Sequence, residues 1–326
     1  MRVPTTLIAW LAGIALLGTL LALNNPFFVF DRIAGIAWWL PLIVAWHAVP
    51  LSLDARAWQM LFQRRPPLPR LMGLIWIGEG ANGLLPVPHL GEVLRARLAA
   101  RLGRSGEGVG SVVVDLTLGV STELVFALIG LALFSTLPHS LGALRYLVPA
   151  LALVAGAALA FIFLQRAGLF TLAGRIARHW SAEARVRLDP ETIAALDDGV
   201  RAIYRHRRRL VQSATWRLAG WIGGTGETWL VFRAMGHPIP LGEAVILESL
   251  GHVARTAVFF IPGGLGIEDA AFFLLGSALG LGPDAGLVLA LVKRLRELVL
   301  GLPALAAGYL IEARRLLRGD TARIES

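Results

Sequence analysis

The sequence predicts an all-α fold: a polytopic integral membrane helical bundle with two re-entrant hairpins that form an inverted repeat. Composition is the first observation behind this prediction, since hydrophobic residues make up 56% of the 326 residues and charged residues only 16%, where about 25% charged residues is usual. The second is a series of apolar runs of spanning length, and the third is a pair of apolar segments interrupted by Pro and Gly. Together they exclude a soluble globular domain, a disordered chain, a collagen and a coiled coil.

Charge and cysteine content narrow the chemistry. The formal net charge is +9 and cysteine is absent, so the sequence offers no disulfide, no thiolate nucleophile and no Cys-based metal site. Most basic residues fall in segments predicted to be cytoplasmic, whereas the predicted outside loops contain only Arg32 and Arg145. Because positively charged loops stay on the cytoplasmic side, we expect a cell inner-membrane protein with both termini in the cytoplasm and no nucleic-acid partner.

The first predicted half covers residues 1–164 and begins with two spans. Residues 5–23 are an uninterrupted apolar run, which we interpret as a retained first helix rather than a cleaved signal peptide, because no clear small-residue cleavage site follows it. Residues 34–53 form the second span, with three Trp side chains typical of the membrane interface. Residues 54–70 and 89–109 are rich in Arg and are predicted to be cytoplasmic loops.

Residues 71–88, LMGLIWIGEGANGLLPVP, lie between those two loops and are predicted to form a re-entrant hairpin. Since both flanks are on the same side, this segment cannot cross the membrane once. Its glycines and prolines break the helix, and broken backbone is tolerated in a bilayer only where protein surrounds it. Residues 110–137 and 146–164 complete the first half as two further spans.

Residues 165–212 are the only long polar stretch and are predicted to form two amphipathic helices on the inner membrane face. Asp189, Pro190 and Glu191 indicate a helix start, with an N-cap, Pro at the first position and an acid near the positive end of the helix dipole. Apolar residues follow at helical spacing as far as Ile203.

The second half, residues 213–311, repeats this organisation. A span over 213–235 precedes an apolar segment over 243–281 that is broken by Pro and Gly. The last span, 286–311, is followed by an Arg-containing tail, 312–326. With that tail in the cytoplasm, both flanks of the broken segment face outward, which predicts a second re-entrant hairpin entered from the opposite side. The whole chain is then a single transmembrane domain.

The two broken segments have similar sequences. Residues 84–92 read LLPVPHLGE and residues 260–268 read FIPGGLGIE, so each places Pro, then Leu-Gly, then Glu within a short stretch. Similar segments entered from opposite sides are typical of an inverted-topology repeat, and in secondary transporters such segments meet near the midplane and build the substrate site. The Gly-rich turn at 263–266 is expected either to present N–H groups to an anion or to allow close helix packing.

Several positions in both broken segments and in the last span form recognisable motifs: Asn82, Pro86, Gly91, Glu92, Arg95, GGLGIE at 263–268, Arg294, Arg296 and Pro303. In these motifs the chain resembles the lysylphosphatidylglycerol synthase transmembrane-region family, over nearly its whole length. The resemblance implies a flippase-like role, because in larger members this membrane part is implicated in moving aminoacylated lipid between leaflets. A separate soluble domain performs the aminoacyl transfer there. The residues after the last span are too few for that domain, so we expect no synthase activity.

Two details refine the resemblance. Asp115 and Glu123, in VVVDLTLGVSTE, stand where the family often has a Glu-Arg pair. The DLTLG stretch and the KRLRE stretch at 293–297 resemble the hopanoid-biosynthesis-associated membrane branch, which implies a hopanoid or another polar lipid as the substrate.

Charged side chains inside predicted membrane segments are candidates for the substrate site. Each costs at least about 2.5–3.5 kcal/mol on insertion scales, so it is expected to face inward, paired and functional. Glu79 and Glu248 are also candidates for coupling transport to protons. The expected substrate-binding set, with the motif residues included, is Glu79, Asn82, Pro86, Glu92, Arg95, Asp115, Glu123, Glu248, Arg255, Gly263, Gly264, Glu268, Arg294 and Arg296.

The KRLRE stretch carries one further expectation about pairing. Lys293 and Glu297 lie at i and i+4 and can pair along the helix. Arg294 and Arg296 then need compensation from an acid elsewhere or from a lipid phosphate, which the planar guanidinium binds through two oxygens at once.

The expected function is binding and translocation of a lipid, whose polar headgroup crosses through the charged interior while its tails stay in the bilayer. One alternative is an intramembrane lipid-modifying enzyme with Glu79 or Glu92 as acid or base. Another is a non-catalytic scaffold of a lipid-biosynthesis complex, bound through 165–212. The sequence contains no catalytic motif, no P-loop and no metal-ligand spacing, so we expect no enzymatic activity, no metal and no cofactor. The expected partners are membrane lipids and lipid-biosynthesis enzymes.

Overall fold

The computed structural model describes residues 5–87, 89–100, 102, 106–137, 190–258 and 261–324, with isolated positions between 149 and 163. The predicted span 146–164 and residues 165–189 of the predicted amphipathic segment therefore lie mostly outside the described residues. Within the described ranges all regular secondary structure is helical, as predicted. In chain order the elements are α1 (Thr5–Leu23), α2 (Pro26–Gly35), a 3₁₀ turn (Ala37–Trp39), α3 (Leu40–Trp46), α4 (Ala48–Gln59), α5 (Leu68–Leu84), α6 (Leu90–Ala99), α7 (Glu107–Ser135), α8 (Pro190–Tyr204), α9 (Arg207–Ala234), α10 (Leu241–Ala257), a second 3₁₀ turn (Pro262–Gly264), α11 (Ile267–Ala278) and α12 (Pro283–Ile324).

The predicted span over 5–23 coincides with α1, and α7 covers most of the span over 110–137. Among the described helices α7 alone is long and apolar enough to cross a bilayer by itself, and α1 with α2 meets that criterion as a pair bent by 90°. The bend follows from Asn25, whose φ of 53° turns the chain and whose side chain accepts a hydrogen bond from the Phe28 N–H, while Pro26 opens α2. The multi-pass arrangement stays a prediction.

The predicted span over 34–53 is not one continuous helix: it contains the end of α2, the first 3₁₀ turn, α3 and the start of α4, with an interruption at His47. α4 then continues into the segment 54–70, which was predicted to be a loop. The buried Trp58 explains the continuation: its indole N–H donates to the Ser111 hydroxyl at 3.0 Å and fixes α4 against α7.

The first broken segment consists of a helix, a break and a second helix. Within the predicted segment 71–88, α5 continues through its glycines to Leu84, so the prediction that these glycines break the helix is wrong. The break contains Pro86 as predicted, and the second helix, α6, begins only at Leu90. The prediction of a loop over 89–109 is wrong for α6, which packs against α5 and buries Leu98. Re-entry of this hairpin into the membrane stays a prediction.

The second broken segment has the same order: α10, the 3₁₀ turn over Pro262–Gly264, and α11. Gly263, Gly264 and Gly266 have φ values of 66°, 60° and 78°, in the left-handed region that favours glycine. The two breaks meet, because a Cβ on Gly263 would lie 3.2 Å from the carbonyl oxygen of Gly83 at the end of α5. Contact between the breaks agrees with the repeat hypothesis, while the inverted orientation stays a prediction.

α1 reaches the second break through a glycine. A Cβ on Gly13 would lie 2.5 Å from the carbonyl oxygen of Leu265, so the two backbones touch at this point.

The prediction of a membrane-surface helix after Pro190 is right about where the helix starts and wrong about which surface its apolar face covers. α8 begins at Pro190, but Val200 and Ile203 are buried in a protein core with residues of α6 and α7. Gly110 of α7 allows this close approach, since a Cβ there would lie 3.1 Å from the backbone nitrogen of Val200.

Two apolar cores hold the helices together. One core is formed mainly by residues of α4, α5, α6, α7 and α8 and lies around Trp58 and Leu71. The other is formed mainly by residues of α2, α3, α9, α10, α11 and α12 and lies around Phe232 and Phe272. α12 is a 42-residue helix with Pro303 inside, and it continues through the segment predicted to be a separate tail. It packs against both α5 and α11 and therefore links the two broken segments.

Candidate functional site

Buried charged side chains gather where α12 meets the two broken segments and their neighbours α4, α7 and α9. They fall into four groups, each named below after one residue. We call the four groups, together with Glu123, the charged network.

The Arg294 cluster lies directly behind the second break and consists of Arg294, Arg255, Glu268, Asp269 and Glu297. Arg294 donates to both oxygens of Asp269 at 3.1 and 3.2 Å and to Glu268 at 3.0 Å. Its Nη1 donates to Glu297 at 2.8 Å and to the carbonyl oxygen of Gly263 at 2.9 Å. All three guanidinium nitrogens are therefore engaged, by three carboxylates and one carbonyl oxygen of the protein.

Arg255 is the less enclosed cation of the Arg294 cluster. It donates from Nη1 to Glu268 at 3.1 Å and to Glu297 at 2.9 Å. Its side chain is 28% exposed, against 12% for Arg294. No described residue engages its other two guanidinium nitrogens. Gly264 makes room for this side chain, since a Cβ there would lie 2.6 Å from the Cγ of Arg255.

The backbone N–H groups of the Gly-rich turn are used inside the protein. The N–H of Gly264 donates to the carbonyl oxygen of Ile261 at 3.0 Å, and the N–H of Gly266 donates to Asp269 at 2.8 Å. Of the two expectations for this turn, the structure favours close packing over an anion site at these two N–H groups.

The Glu248 cluster consists of Glu248 with Lys293, Thr228 and His252. The Lys293 ammonium donates to both oxygens of Glu248 at 2.9 Å, the Thr228 hydroxyl donates to one of them, and His252 Nε2 lies 3.2 Å from the other. Lys293 therefore pairs with Glu248 and not with Glu297, the partner that the i,i+4 spacing allows. The i,i+4 rule considers contacts within one helix only. Here Lys293 contacts a buried carboxylate of α10, and Glu297 binds the arginines of the Arg294 cluster.

The Arg296 chain runs from Glu227 on α9 to Glu79 on α5. Arg296 donates to Glu227, and its Nη1 lies 3.2 Å from His47 Nδ1. His47 Nε2 lies 2.9 Å from Glu79 Oε2. The Glu79 side chain is 41% exposed, whereas that of Glu227 is 1% exposed and its Oε1 has no hydrogen-bond partner among the described residues.

The Asp115 cluster ties α4, α6, α7 and α9 together. Arg95 donates to Asp115 Oδ2 at 2.6 Å, and Arg217 donates to its other oxygen. Arg217 also pairs with Asp54 at 3.0 Å, and the Arg95 guanidinium lies 4.4 Å from the ring centroid of Trp58. Asp115 is 1% exposed, so its two cations replace the water that it gives up on burial.

Asn82 and Glu92 close the first break around Pro86. The Asn82 amide donates to Glu92 Oε1 at 2.9 Å, and its carbonyl oxygen accepts from the Gly91 N–H at 2.7 Å. These motif residues therefore fix the turn between α5 and α6.

Carboxylates outnumber bases in the charged network. Glu123 on α7 has no ion-pair partner among the described residues and accepts a hydrogen bond from the Thr256 hydroxyl at 2.5 Å. The bases are Arg95, Arg217, Arg255, Lys293, Arg294 and Arg296, and the acids are Asp54, Glu79, Asp115, Glu123, Glu227, Glu248, Glu268, Asp269 and Glu297.

Sequence reasoning left several network members out of the candidate set. Arg217 and Glu227 carried a usable signal, because they are charges inside a predicted span. His47 and Thr228 carried none, since both residue types are common in helices without any function. Within the described ranges no three His, Asp or Glu side chains are arranged to hold a metal ion.

Comparison with known proteins gives one match. The model of the family described as "Lysylphosphatidylglycerol synthase TM region" matches residues 5–304. No curated protein and no solved structure matches the chain.

Proposed function

The chain belongs to the lysylphosphatidylglycerol synthase transmembrane-region family, and from that premise we propose that this membrane protein binds a lipid and translocates it between leaflets. The proposed substrate is a hopanoid or another polar lipid. The charged network carries the headgroup, and the acyl or polycyclic tail stays in the bilayer.

One observation carries this proposal: the charged network lies where the two broken helical segments touch. Gly263 packs against Gly83 at that point, and Arg294 holds the carbonyl oxygen of Gly263. Irregular backbone next to buried charge supports a polar passage through an apolar protein, because membrane proteins tolerate both features only where they line a cavity or are enclosed by protein.

Arg255 is the side chain best suited to meet the headgroup. It is partly exposed, and two of its guanidinium nitrogens have no partner among the described residues. A guanidinium with two free N–H-bearing nitrogens matches two oxygens of a phosphate or a polyol. Arg294 is enclosed and fully paired, so its role in this proposal is to hold the break in shape.

A leaflet-resolved assay tests the proposal. Vesicles containing the purified protein and a trace of fluorescent lipid are treated with an impermeant quencher, and the rate at which inner-leaflet lipid becomes accessible is measured. Phosphatidylglycerol, an aminoacylated phosphatidylglycerol and a hopanoid are compared. If at least one of these lipids exchanges faster than in protein-free vesicles, the result supports translocation. If all three exchange at the same rate with and without protein, the result contradicts it.

An Arg255→Lys variant tests the role of the headgroup ligand. It keeps the charge but loses the planar fork, and we expect transport to fall by roughly tenfold, the value of one lost charged hydrogen bond of about 1.4 kcal/mol. Arg233→Lys is the matched control, because Arg233 is an exposed arginine near the end of α9. Unchanged transport in a folded Arg255→Lys protein would remove this assignment.

A lipid-modifying enzyme is the second candidate, and the hydrogen-bonded pair of His47 and Glu79 favours it. A His and a carboxylate 2.9 Å apart have the geometry of an acid–base pair. Mass spectrometry of lipids incubated with the purified protein distinguishes the two functions, since an enzyme changes the mass of a lipid and a translocator does not.

A further inference from the structure

We propose that His47 and Glu79 form a proton-binding site, and that uptake of one proton there releases Arg296 from His47. The site would couple lipid movement to protons, and in that respect the inference rests on the proposed function. The binding of the proton itself does not depend on it.

The hydrogen-bond directions in the Arg296 chain fix where the imidazole of His47 carries its proton. A guanidinium only donates, so His47 Nδ1, 3.2 Å from Arg296 Nη1, is the acceptor. The proton of the neutral ring is therefore on Nε2, from which it is donated to Glu79 Oε2 at 2.9 Å. In this state the ring is neutral and its one free lone pair is covered by Arg296.

A second proton can bind only at Nδ1. Once that bond forms, two donors face each other across the 3.2 Å gap to Arg296 Nη1, and the imidazolium and guanidinium repel each other. The new positive charge stays next to the Glu79 carboxylate, while Arg296 keeps its contact with Glu227. Proton uptake thus breaks the contact between Arg296 on α12 and His47, which lies between α3 and α4. In its place, the hydrogen bond between His47 and Glu79 on α5 becomes an ion pair.

The charges around this pair come from every packed element. Arg95 from α6 and Asp54 from α4 act on Glu79, and Glu227, Glu248 and Glu297 act on Arg296. Two further bases lie near these acids: Lys293, which Glu248 holds at 2.9 Å, and Arg217 from α9, which pairs with Asp54 at 3.0 Å. The acids named here outnumber the bases. The His47 side chain is 16% exposed, so it is not fully enclosed by protein.

Glu248, the other candidate for proton coupling, is less suited to this role. Both of its oxygens already accept hydrogen bonds from the Lys293 ammonium at 2.9 Å. Adding a proton to Glu248 would leave a buried cation without its counter-ion, which is costly. The sequence could not distinguish Glu79 from Glu248 as candidates for proton coupling. Their different partners favour Glu79.

A distance measurement tests the proposal without any lipid transport. The chain lacks cysteine, so spin labels are attached through Val49→Cys on α4 and Leu298→Cys on α12, both of which are exposed positions. Pulsed electron paramagnetic resonance gives the distance distribution in lipid nanodiscs at about pH 8 and about pH 5, which bracket the usual histidine range. We expect the distribution to change between the two pH values.

Two further variants decide the origin of that change. His47→Gln removes the titrating group and should give one distribution at both pH values. His252→Gln is the matched control, because His252 also contacts a glutamate, at 3.2 Å, and it should keep the change. An unchanged distribution in the parent protein, or a change that persists in His47→Gln, would overturn the proposal.

If His47→Gln does not fold, Glu79→Gln replaces it, since glutamine still accepts from Nε2 but does not stabilise an imidazolium. It should shift the transition to lower pH, and an unshifted transition would overturn the proposal. In vesicles, transport coupled to this site should change by up to about tenfold per pH unit, the limit for one titrating group. A pH-dependent distance without any transport would contradict the proposed function and leave the proton site standing.

Discussion

Arg294→Ala should destabilise the protein strongly, because it removes the centre of the Arg294 cluster. The substitution deletes hydrogen bonds to Asp269, Glu268 and Glu297 and to the carbonyl oxygen of Gly263. Arg255 alone then faces the three carboxylates. Removing one partner of a buried ion pair costs about 3–5 kcal/mol, since the remaining charge is left without compensation.

The assay is thermal unfolding of the purified protein in detergent. With roughly 2–4 °C per kcal/mol for a domain of this size, the apparent Tm should fall by roughly 10 °C. Arg233→Ala is the control and should change stability by less than about 0.5 kcal/mol, as exposed positions usually do. A double variant, Arg294→Met with Asp269→Asn, removes one of the orphaned charges and should recover at least about 1 kcal/mol of the loss.

Two results would refute this reasoning. An Arg294→Ala protein as stable as the control would mean that the three carboxylates do not need the guanidinium. A stable Arg294→Ala protein that no longer translocates lipid would mean that Arg294 binds the headgroup rather than the acids of the cluster.

Two further substitutions test the breaks, and a pair of introduced cysteines tests the orientation. Gly264→Ala should lower the free energy of unfolding by about 1–3 kcal/mol, because φ is 60° there and the new Cβ would collide with Arg255. Translocation should fall as well, and normal transport would contradict the placement of Arg255. Asn82→Ala should lower the free energy of unfolding by about 1–3 kcal/mol, since the Gly91 N–H and a Glu92 oxygen lose their partner. An unchanged unfolding temperature would show that the break does not depend on Asn82. Cysteines placed by Trp180→Cys and Asp320→Cys should react with an impermeant reagent only from the cytoplasmic side, and labelling from outside would contradict the predicted orientation.

The two breaks were predictable because their cause is local. Pro86 and the glycines at 263–266 interrupt a helix through their own backbone geometry, so a single sequence reveals them. The start of α8 at Pro190 is predictable for the same reason.

Helix boundaries and pairing partners were not predictable where they depend on distant residues. Asp54 and Arg95 read as loop charges, yet both lie in helices, because Arg217 and Asp115 compensate them from elsewhere in the chain. Lys293 reads as a partner of its own helix and instead meets Glu248 on α10. Spacing along one helix predicts only the contacts within that helix.

The contact between Gly13 and Leu265 imposes an order on assembly. α1 is synthesised well before the backbone that it touches, which belongs to the turn before α11. At a synthesis rate of about 5–20 residues per second, the ribosome needs on the order of ten seconds or more before that turn exists. During this interval the N-terminal helix has no docking site on the second break, and its side chains remain in contact with lipid or with the insertion machinery. α1 therefore docks on the second break only after the helices between them in the chain have been made, and a bulky residue at position 13 should disturb this late contact more than the helices formed before it.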